Sequence, residues 1–247
     1  MAVLPHEGTY SVMYGGLPIS VGTGYRPGYL ARPDKSGRFP VVILVPDIDG
    51  VTAHEKHLAR RIARRGVAVI AVDLYANDRT GDALETYHDL DDGEAVRVLD
   101  EVQEYLSSED IEWAHAARVG VLGLEVGGRF ALIQAAHRPW VASAAVAYAP
   151  LTGDEERRYQ VADMLDHLAP PILAIYGAED DLVDPDTVDE AQNRNASGSW
   201  LLYEGVGHGF LDDGGPTYDQ GSAEDAIQRL VDFFLATLPK ASVQEVG

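Results

Sequence analysis

Residues 117–130, ARVGVLGLEVGGRF, decide the predicted fold. The apolar run 117–124 predicts a buried strand, and the stretch 127–137, GGRFALIQAAH, predicts a helix. Between them lies Gly123-Leu124-Glu125-Val126-Gly127. Small residues on both sides of the central position permit a tight, strained turn. The sequence therefore predicts a strand, a sharp turn that exposes the side chain of Glu125, and a helix that begins directly after it.

The same alternation of apolar runs and amphipathic stretches extends over most of the chain. Alternating strands and helices predict an α/β fold with a mainly parallel sheet and helices on both faces. Residues 9–33 contain short strand-like runs punctuated by Gly and Pro, which predicts an antiparallel edge. We expect one domain over residues 1–247. The predicted buried strands are 39–46, 66–74, 117–124, 141–150, 170–177 and 199–205, and the predicted helices are 53–65, 93–106, 127–137, 186–195 and 223–238.

Composition excludes several classes of function. The chain has 247 residues and a formal net charge of −21, from 40 acidic and 19 basic residues. Such a surface repels phosphate backbones and anionic membranes, so we expect neither nucleic acid nor a membrane as a partner. There is no cysteine, which excludes disulfides, a thiolate nucleophile and cysteine metal ligands.

The expected environment follows from the same features. The N-terminus lacks a basic segment followed by a long apolar stretch, and no apolar run is long enough to span a membrane. We expect a cytoplasmic protein, monomeric or homodimeric, that acts on a small molecule without a cofactor or a metal.

Three strand ends carry residues suited to chemistry. Glu125 lies in the turn, Asp180 follows the predicted strand 170–177, and His208 follows the last predicted strand. In open parallel sheets, ligands bind beyond the carboxyl ends of the strands. The order of turn residue, acid and histidine is that of the α/β-hydrolase triad. Tyr75 and Tyr148 also follow strands, and we expect both to line the same pocket.

The chain resembles the dienelactone hydrolase family of α/β-hydrolases over nearly its whole length. The stretches that carry the resemblance are VPDIDGVTAHEKHLARRIARRGVAVIAVDLYA, VGVLGLEVGG, IYGAEDDLVDP and YEGVGHGF. The resemblance implies an α/β-hydrolase fold and a small-molecule hydrolase. It assigns the acid and base roles to Asp180 and His208, and it assigns the nucleophile position, where the family has Cys, to Glu125.

The resemblance implies three further site residues and shows two departures. Asp47 falls where the family has a Glu near the nucleophile, and the amides of Ile48 and Val126 would form the oxyanion hole. The first departure is Glu125 itself. The second is Asp212, four residues after His208, where the family binds its anionic lactone with an arginine. A carboxylate substrate is therefore expected to be poorly held, although Arg79 lies after the DLYA stretch.

A carboxylate in this turn supports three hypotheses. Glu125 attacks a saturated carbon, as in an epoxide or an alkyl halide, and His208 then activates water to hydrolyse the enzyme ester. Alternatively, Glu125 and His208, with Asp47, move protons in an elimination, isomerisation or ring closure without a covalent intermediate. In the third hypothesis the site is inactive and the chain binds a ligand. Attack on an ester carbonyl is disfavoured because it would give a mixed anhydride.

Each site residue also has a purely structural interpretation. Glu125 would complement the dipole of the helix that follows it, and His208 would be an ordinary loop histidine. Asp181 could replace Asp180, within an acid-rich turn that leads to a helix cap at Asp186, and Asp47 could be a turn former. His54 and His57 have the wrong spacing for a zinc-binding helix, which favours an exposed helix surface.

Overall fold

The computed structural model describes residues 8–22, 24–75, 81–152, 157 and 160–243. The described chain forms one large sheet of eight strands, which are β1 Val12–Val21, β2 Gly24–Pro33, β4 Val41–Val45, β5 Ala68–Val72, β6 Val119–Leu124, β7 Val141–Ala147, β8 Ile172–Gly177 and β9 Ser199–Tyr203. Their order across the sheet is β1-β2-β5-β4-β6-β7-β8-β9. Two short strands, β3 Gly37–Arg38 and β10 Ser242–Val243, pair separately.

The strand directions confirm the predicted mainly parallel sheet. Strands β4 to β9 pair in parallel, whereas β1 pairs antiparallel with β2, and β2 pairs antiparallel with β5. The N-terminal hairpin is therefore the predicted antiparallel edge. Every residue of β4 to β8 is buried, as is usual for parallel strands that are covered on both faces.

Helices cover both faces of the sheet, and each face has its own apolar core. Alternate residues of β4 point to opposite faces, so that Val41 and Ile43 belong to one core, and Val42 and Leu44 to the other. The first core packs against α3 Asp92–Leu106, α4 Gly127–His137 and α6 Pro185–Arg194. The second packs against α1 Ala53–Ala63 and α7 Gln220–Thr237.

The helix boundaries have identifiable capping residues. Helix α1 begins with a capping box, in which the Glu55 carboxylate accepts hydrogen bonds from the Thr52 amide and hydroxyl at 2.7 and 2.6 Å. Helix α6 begins one residue earlier than predicted, because Asp184 rather than Asp186 is its N-cap and Pro185 takes the first helical position. The prediction of a cap at Asp186 is therefore wrong.

Two short helices were not predicted. Helix α2, Ala83–Asp89, is capped by the Asp82 side chain, and α5, Val161–Met164, continues into a turn of 3₁₀ helix, Leu165–His167. Both are too short to show a clear helical period in the sequence. Helix α2 matters for function, because it forms one wall of the cleft described below.

Candidate active site

The turn between β6 and α4 holds Glu125 in a strained conformation, as the sequence predicts. Glu125 has φ +51°, in the left-handed region that residues other than glycine rarely adopt. Its amide donates to the Ala147 carbonyl at 2.9 Å, and its carbonyl accepts from the Gly128 amide at 2.9 Å. A Cβ on Gly127 would lie 2.4 Å from the Val45 and Pro46 carbonyl oxygens, so the small residue lets α4 approach β4. The turn therefore presents the carboxylate at the carboxyl end of the sheet.

The structure brings the three predicted residues Glu125, Asp180 and His208 together. Nδ1 of His208 lies 2.8 Å from Oδ2 of Asp180, and Nε2 is in contact with Oε2 of Glu125. The Asp180 side chain is fully buried, and its Oδ1 accepts the amides of Leu182 and Val183 at 2.9 Å each. Those two amides hold Asp180 towards the histidine, whereas Asp181 is exposed. The imidazole thus lies between two carboxylates.

Electrostatics favour a charged histidine in this arrangement. Burial lowers the pKa of His208, but the hydrogen bonds and charges of Glu125 and Asp180 outweigh burial and raise the pKa to about 9. Burial raises the pKa of Glu125, and the charge of His208 opposes that shift. The protonated imidazole of His208 therefore faces the carboxylate of Glu125, because two carboxylates flank one imidazole.

Asp47 is a second carboxyl group near Glu125. It lies two residues after the end of β4, and burial raises its pKa, an effect that the Ile48 and Val126 amides oppose. The two amides predicted for an oxyanion hole therefore lie near the Asp47 carboxyl group. Charge repulsion from Asp47 also raises the pKa of Glu125, as expected for neighbouring carboxylates.

The cleft at the end of the sheet has two lobes, and the two lobes meet at Glu125 and His208. One lobe, here called the acidic lobe, has a volume of about 400 Å³. The other, the apolar lobe, has a volume of about 350 Å³ and lies against α2. Both are lined by Asp47, Glu125, Tyr148, Leu182 and His208. The acidic lobe adds Asp49, His54, Asp181 and Asp212, and the apolar lobe adds Ile48, Leu84, Tyr87, Val126, Pro150 and Val183.

Of the two predicted pocket tyrosines, only Tyr148 lines the cleft. Tyr148 has φ +57°, its hydroxyl accepts the Leu211 amide at 2.7 Å, and its ring lies 5.2 Å from that of His208. Tyr75 is 1% exposed and belongs to the core beside Phe130, so its predicted place in the pocket lining is wrong. Position after a strand does not decide whether a side chain turns outward or into the core. Arg79 lies outside the described residues.

Two residues were not predicted as part of the site. His54 was expected on an exposed helix surface, but it lines the acidic lobe, and its Nδ1 lies 3.5 Å from Oδ1 of Asp212. The sequence did mark Asp212, as a replacement for a basic residue. Nothing in the local pattern of α1 could show that His54 faces the loop after His208. A larger open depression of about 920 Å³, beside β3 and β10, contains none of these groups.

Comparison with known proteins identifies the family. Residues 27–238 match the model of the dienelactone hydrolase family. The chain belongs to the dienelactone hydrolase family. It is 33% identical over 222 residues to a provisionally named carboxymethylenebutenolidase of Escherichia coli K12, covering 84% of this chain and 81% of the relative. It is also 31% identical over 240 residues to a carboxymethylenebutenolidase of Rhodococcus opacus, covering 87% and 90%.

A solved structure confirms the fold. A provisionally named dienelactone hydrolase of Klebsiella pneumoniae superposes with a TM-score of 0.80 at 29% identity, covering 91% of this chain and 98% of that one. The α/β-hydrolase fold predicted from the sequence is therefore correct. The chain is a member of a hydrolase family whose relatives carry hydrolase names. In the described part of the chain, no helix is both long and apolar enough to cross a bilayer.

Proposed function

We propose that this member of the dienelactone hydrolase family is a small-molecule hydrolase in which Glu125 is the nucleophile. Its carboxylate attacks an electrophilic saturated carbon and forms an enzyme ester, which water then hydrolyses. The observation that carries the proposal is the chain of contacts from Asp180 through His208 to Glu125, at the junction of the two lobes. Asp180 and His208 take the roles of orienting acid and of base.

The nature of the nucleophile limits the substrate. A carboxylate that attacks an ester carbonyl gives a mixed anhydride, which is more reactive than the ester that was consumed. A carboxylate that attacks the carbon of an epoxide or an alkyl halide gives a stable alkyl ester. The acidic lobe, with Asp212 in place of the family's arginine, also disfavours a carboxylate substrate such as a dienelactone. We therefore assign an uncharged electrophile to this site.

The electrostatics of His208 fit the two steps of this reaction. Before reaction, the Glu125 anion helps to keep the imidazole protonated, with a pKa of about 9. Alkylation turns Glu125 into a neutral ester and removes that charge. Burial then counts for more and lowers the pKa of His208. The imidazolium releases its Nε2 proton to solvent, and the neutral imidazole, still held by Asp180, takes a proton from the water that attacks the ester carbonyl of Glu125. It then gives that proton to the alcohol oxygen as the ester bond breaks.

Trapping the ester tests the proposal. The variant His208→Gln keeps a hydrogen-bond donor near Glu125 but has no base for the second step. We expect the peptide that contains Glu125 to gain the mass of one styrene oxide molecule, or, with 1-bromobutane, the mass of one reagent molecule less hydrogen bromide, because bromide leaves. The double variant with Glu125→Gln should gain nothing. If no mass is gained with either compound, or if Glu125→Gln alone keeps full turnover of styrene oxide, the proposal is wrong.

A second candidate is proton transfer without a covalent intermediate. Asp47 favours it, because this carboxyl group lines both lobes and burial raises its pKa, as it does for Glu125. Two carboxyl groups with raised pKa values can give and take protons in an elimination, isomerisation or ring closure. This candidate predicts that Glu125→Gln and Asp47→Asn both abolish turnover, while His208→Gln never accumulates an adduct.

A further inference from the structure

The acidic lobe contains a second pair of imidazole and carboxylate. His54 is the second residue of α1, and its side chain is 15% exposed. Nδ1 of His54 faces Asp212 at 3.5 Å, whereas Nε2 has no hydrogen-bond partner among the residues that the structure describes. The capping box of Thr52 and Glu55 fixes the turn of helix from which His54 projects. The free ring nitrogen is thus available to a molecule in the lobe.

A similar pair lies beside it but outside the lobe. Nδ1 of His57 lies 2.7 Å from Oδ2 of Asp213, and both side chains are 44% exposed. The two pairs join the same helix to the same loop, which also carries His208. His54 lines the cavity with Glu125, whereas His57 does not. If both pairs served only to hold the loop against α1, replacing either histidine would have the same effect. Because only His54 lines the lobe, comparing the two histidines distinguishes a chemical role from a structural one.

The reaction proposed above needs a proton donor on the leaving-group side. The Nε2 proton of His208 is held by Glu125, so that imidazole is not free to act on the leaving group. The acidic lobe repels an anion that forms inside it, because several carboxyl groups line it. An oxygen that leaves from carbon must therefore be protonated as it departs. The titratable groups that line the lobe together with His54 and Asp212 are Asp47, Asp49, Glu55, Glu125, Tyr148, Asp181 and His208.

We infer that His54, oriented by Asp212, is the acid that protonates the leaving oxygen, and that the substrate is an epoxide. The inference rests on the proposed nucleophilic role of Glu125. One Oε of Glu125 bonds to a ring carbon, the C–O bond breaks, and its electron pair takes the proton from Nε2 of His54. The products are a hydroxyalkyl ester of Glu125 and a neutral imidazole. An alkyl halide would leave as halide and would need no such proton.

The test measures ester formation in the His208→Gln protein, where His208 contributes no titration. His54→Gln and, as the matched control, His57→Gln are each added to this parent. With styrene oxide at mildly acidic pH, we expect His54→Gln to slow the gain of mass by about 100-fold or more, in the range of general acid catalysis. His57→Gln should leave the rate within about twofold. With 1-bromobutane, whose leaving halide needs no proton, His54→Gln should slow ester formation far less than it does with styrene oxide.

The dependence of the rate of ester formation on pH gives a second test, because a purely structural role of His54 would leave it unchanged. In the parent, ester formation from styrene oxide should be slower at alkaline than at mildly acidic pH, because the proposed proton donor is then lost, and this difference should be absent in His54→Gln. Equal rates in His54→Gln and the parent would overturn the inference while leaving Glu125 as nucleophile. Equal slowing by His54→Gln and His57→Gln would show that both pairs only hold the loop against α1, and would overturn the inference. Absence of any adduct would refute the proposed function and this inference together.

Discussion

Two residues of the candidate site carry backbone strain. Among the described residues, Glu125 and Tyr148 are the non-glycine residues with positive φ, at +51° and +57°. Both follow a strand of the sheet directly, and both line the two lobes. Such conformations cost on the order of 1–3 kcal/mol each and persist where the surrounding structure enforces them. Their position at the cleft supports the assignment of the active site.

His208 makes stability depend on pH. Its pKa rises from about 6.5 to about 9 in the folded protein, despite burial, because Glu125 and Asp180 flank it. Because the folded protein binds this proton more tightly, His208 contributes stability that is fully present below about pH 6.5. This contribution is lost as pH rises through about 9. We predict that the free energy of unfolding falls over this interval, by on the order of 2 kcal/mol, more in the wild type than in His208→Gln. Urea titrations at several pH values measure this. A fall of equal size in both proteins would contradict the prediction.

The sequence could predict Glu125, Asp180 and His208 as site residues, but it could not predict the pair of His54 and Asp212. Glu125, Asp180 and His208 follow strands in a recognisable order, and parallel strands place their carboxyl ends along one edge. The contact of His54 with Asp212 depends on how α1 faces the loop after β9, which no local pattern encodes. The orientation of Tyr75 into the core likewise depends on packing with Phe130.

At the scale of elements, the turn between β6 and α4 requires glycine at position 127, because the backbone of neighbouring residues leaves no room for a side chain there. A Cβ at Gly127 would lie 2.4 Å from two backbone oxygens, of Val45 and Pro46, which cannot move without displacing β4. We predict that Gly127→Ala destabilises the protein by about 2 kcal/mol or more. The control is Gly15→Ala in β1, where no atom lies within 4 Å of the added Cβ. Urea denaturation of both variants measures the difference, and similar midpoints would contradict the prediction.

The elements differ in how well the sequence predicts them. The buried strands and α4 were predicted because their apolar runs are long, and the observed strands lie within the predicted ranges. Helix α2 was not predicted because seven residues show no clear period. Its placement over the apolar lobe depends on tertiary contacts, including the Arg157 guanidinium, which stacks 4.3 Å from the centre of the Tyr87 ring and donates to the Leu90 carbonyl at 2.7 Å.

At the scale of the whole molecule, the sheet order explains why residues distant in sequence meet. Strands β4, β6, β7 and β8 are neighbours in parallel, and Asp47, Glu125, Tyr148 and Asp180 follow their carboxyl ends. The fold is that of the dienelactone hydrolase family, and Asp212, at the position where the sequence resemblance implies an arginine, faces His54 in the acidic lobe. One domain over residues 1–247, a cytoplasmic location and a monomer or homodimer stay predictions.

The central claim is that Glu125 bonds covalently to the substrate, and isotope transfer in one turnover tests it most directly. Wild-type protein in excess over styrene oxide is allowed to react in water enriched in oxygen-18. Because the hydroxide attacks the ester carbonyl, the account predicts that the heavy isotope enters the carboxylate of Glu125, seen in its peptide mass, and that the first diol contains none. Heavy oxygen in the first diol, with Glu125 unlabelled, would mean direct attack of water on the substrate and would contradict the account.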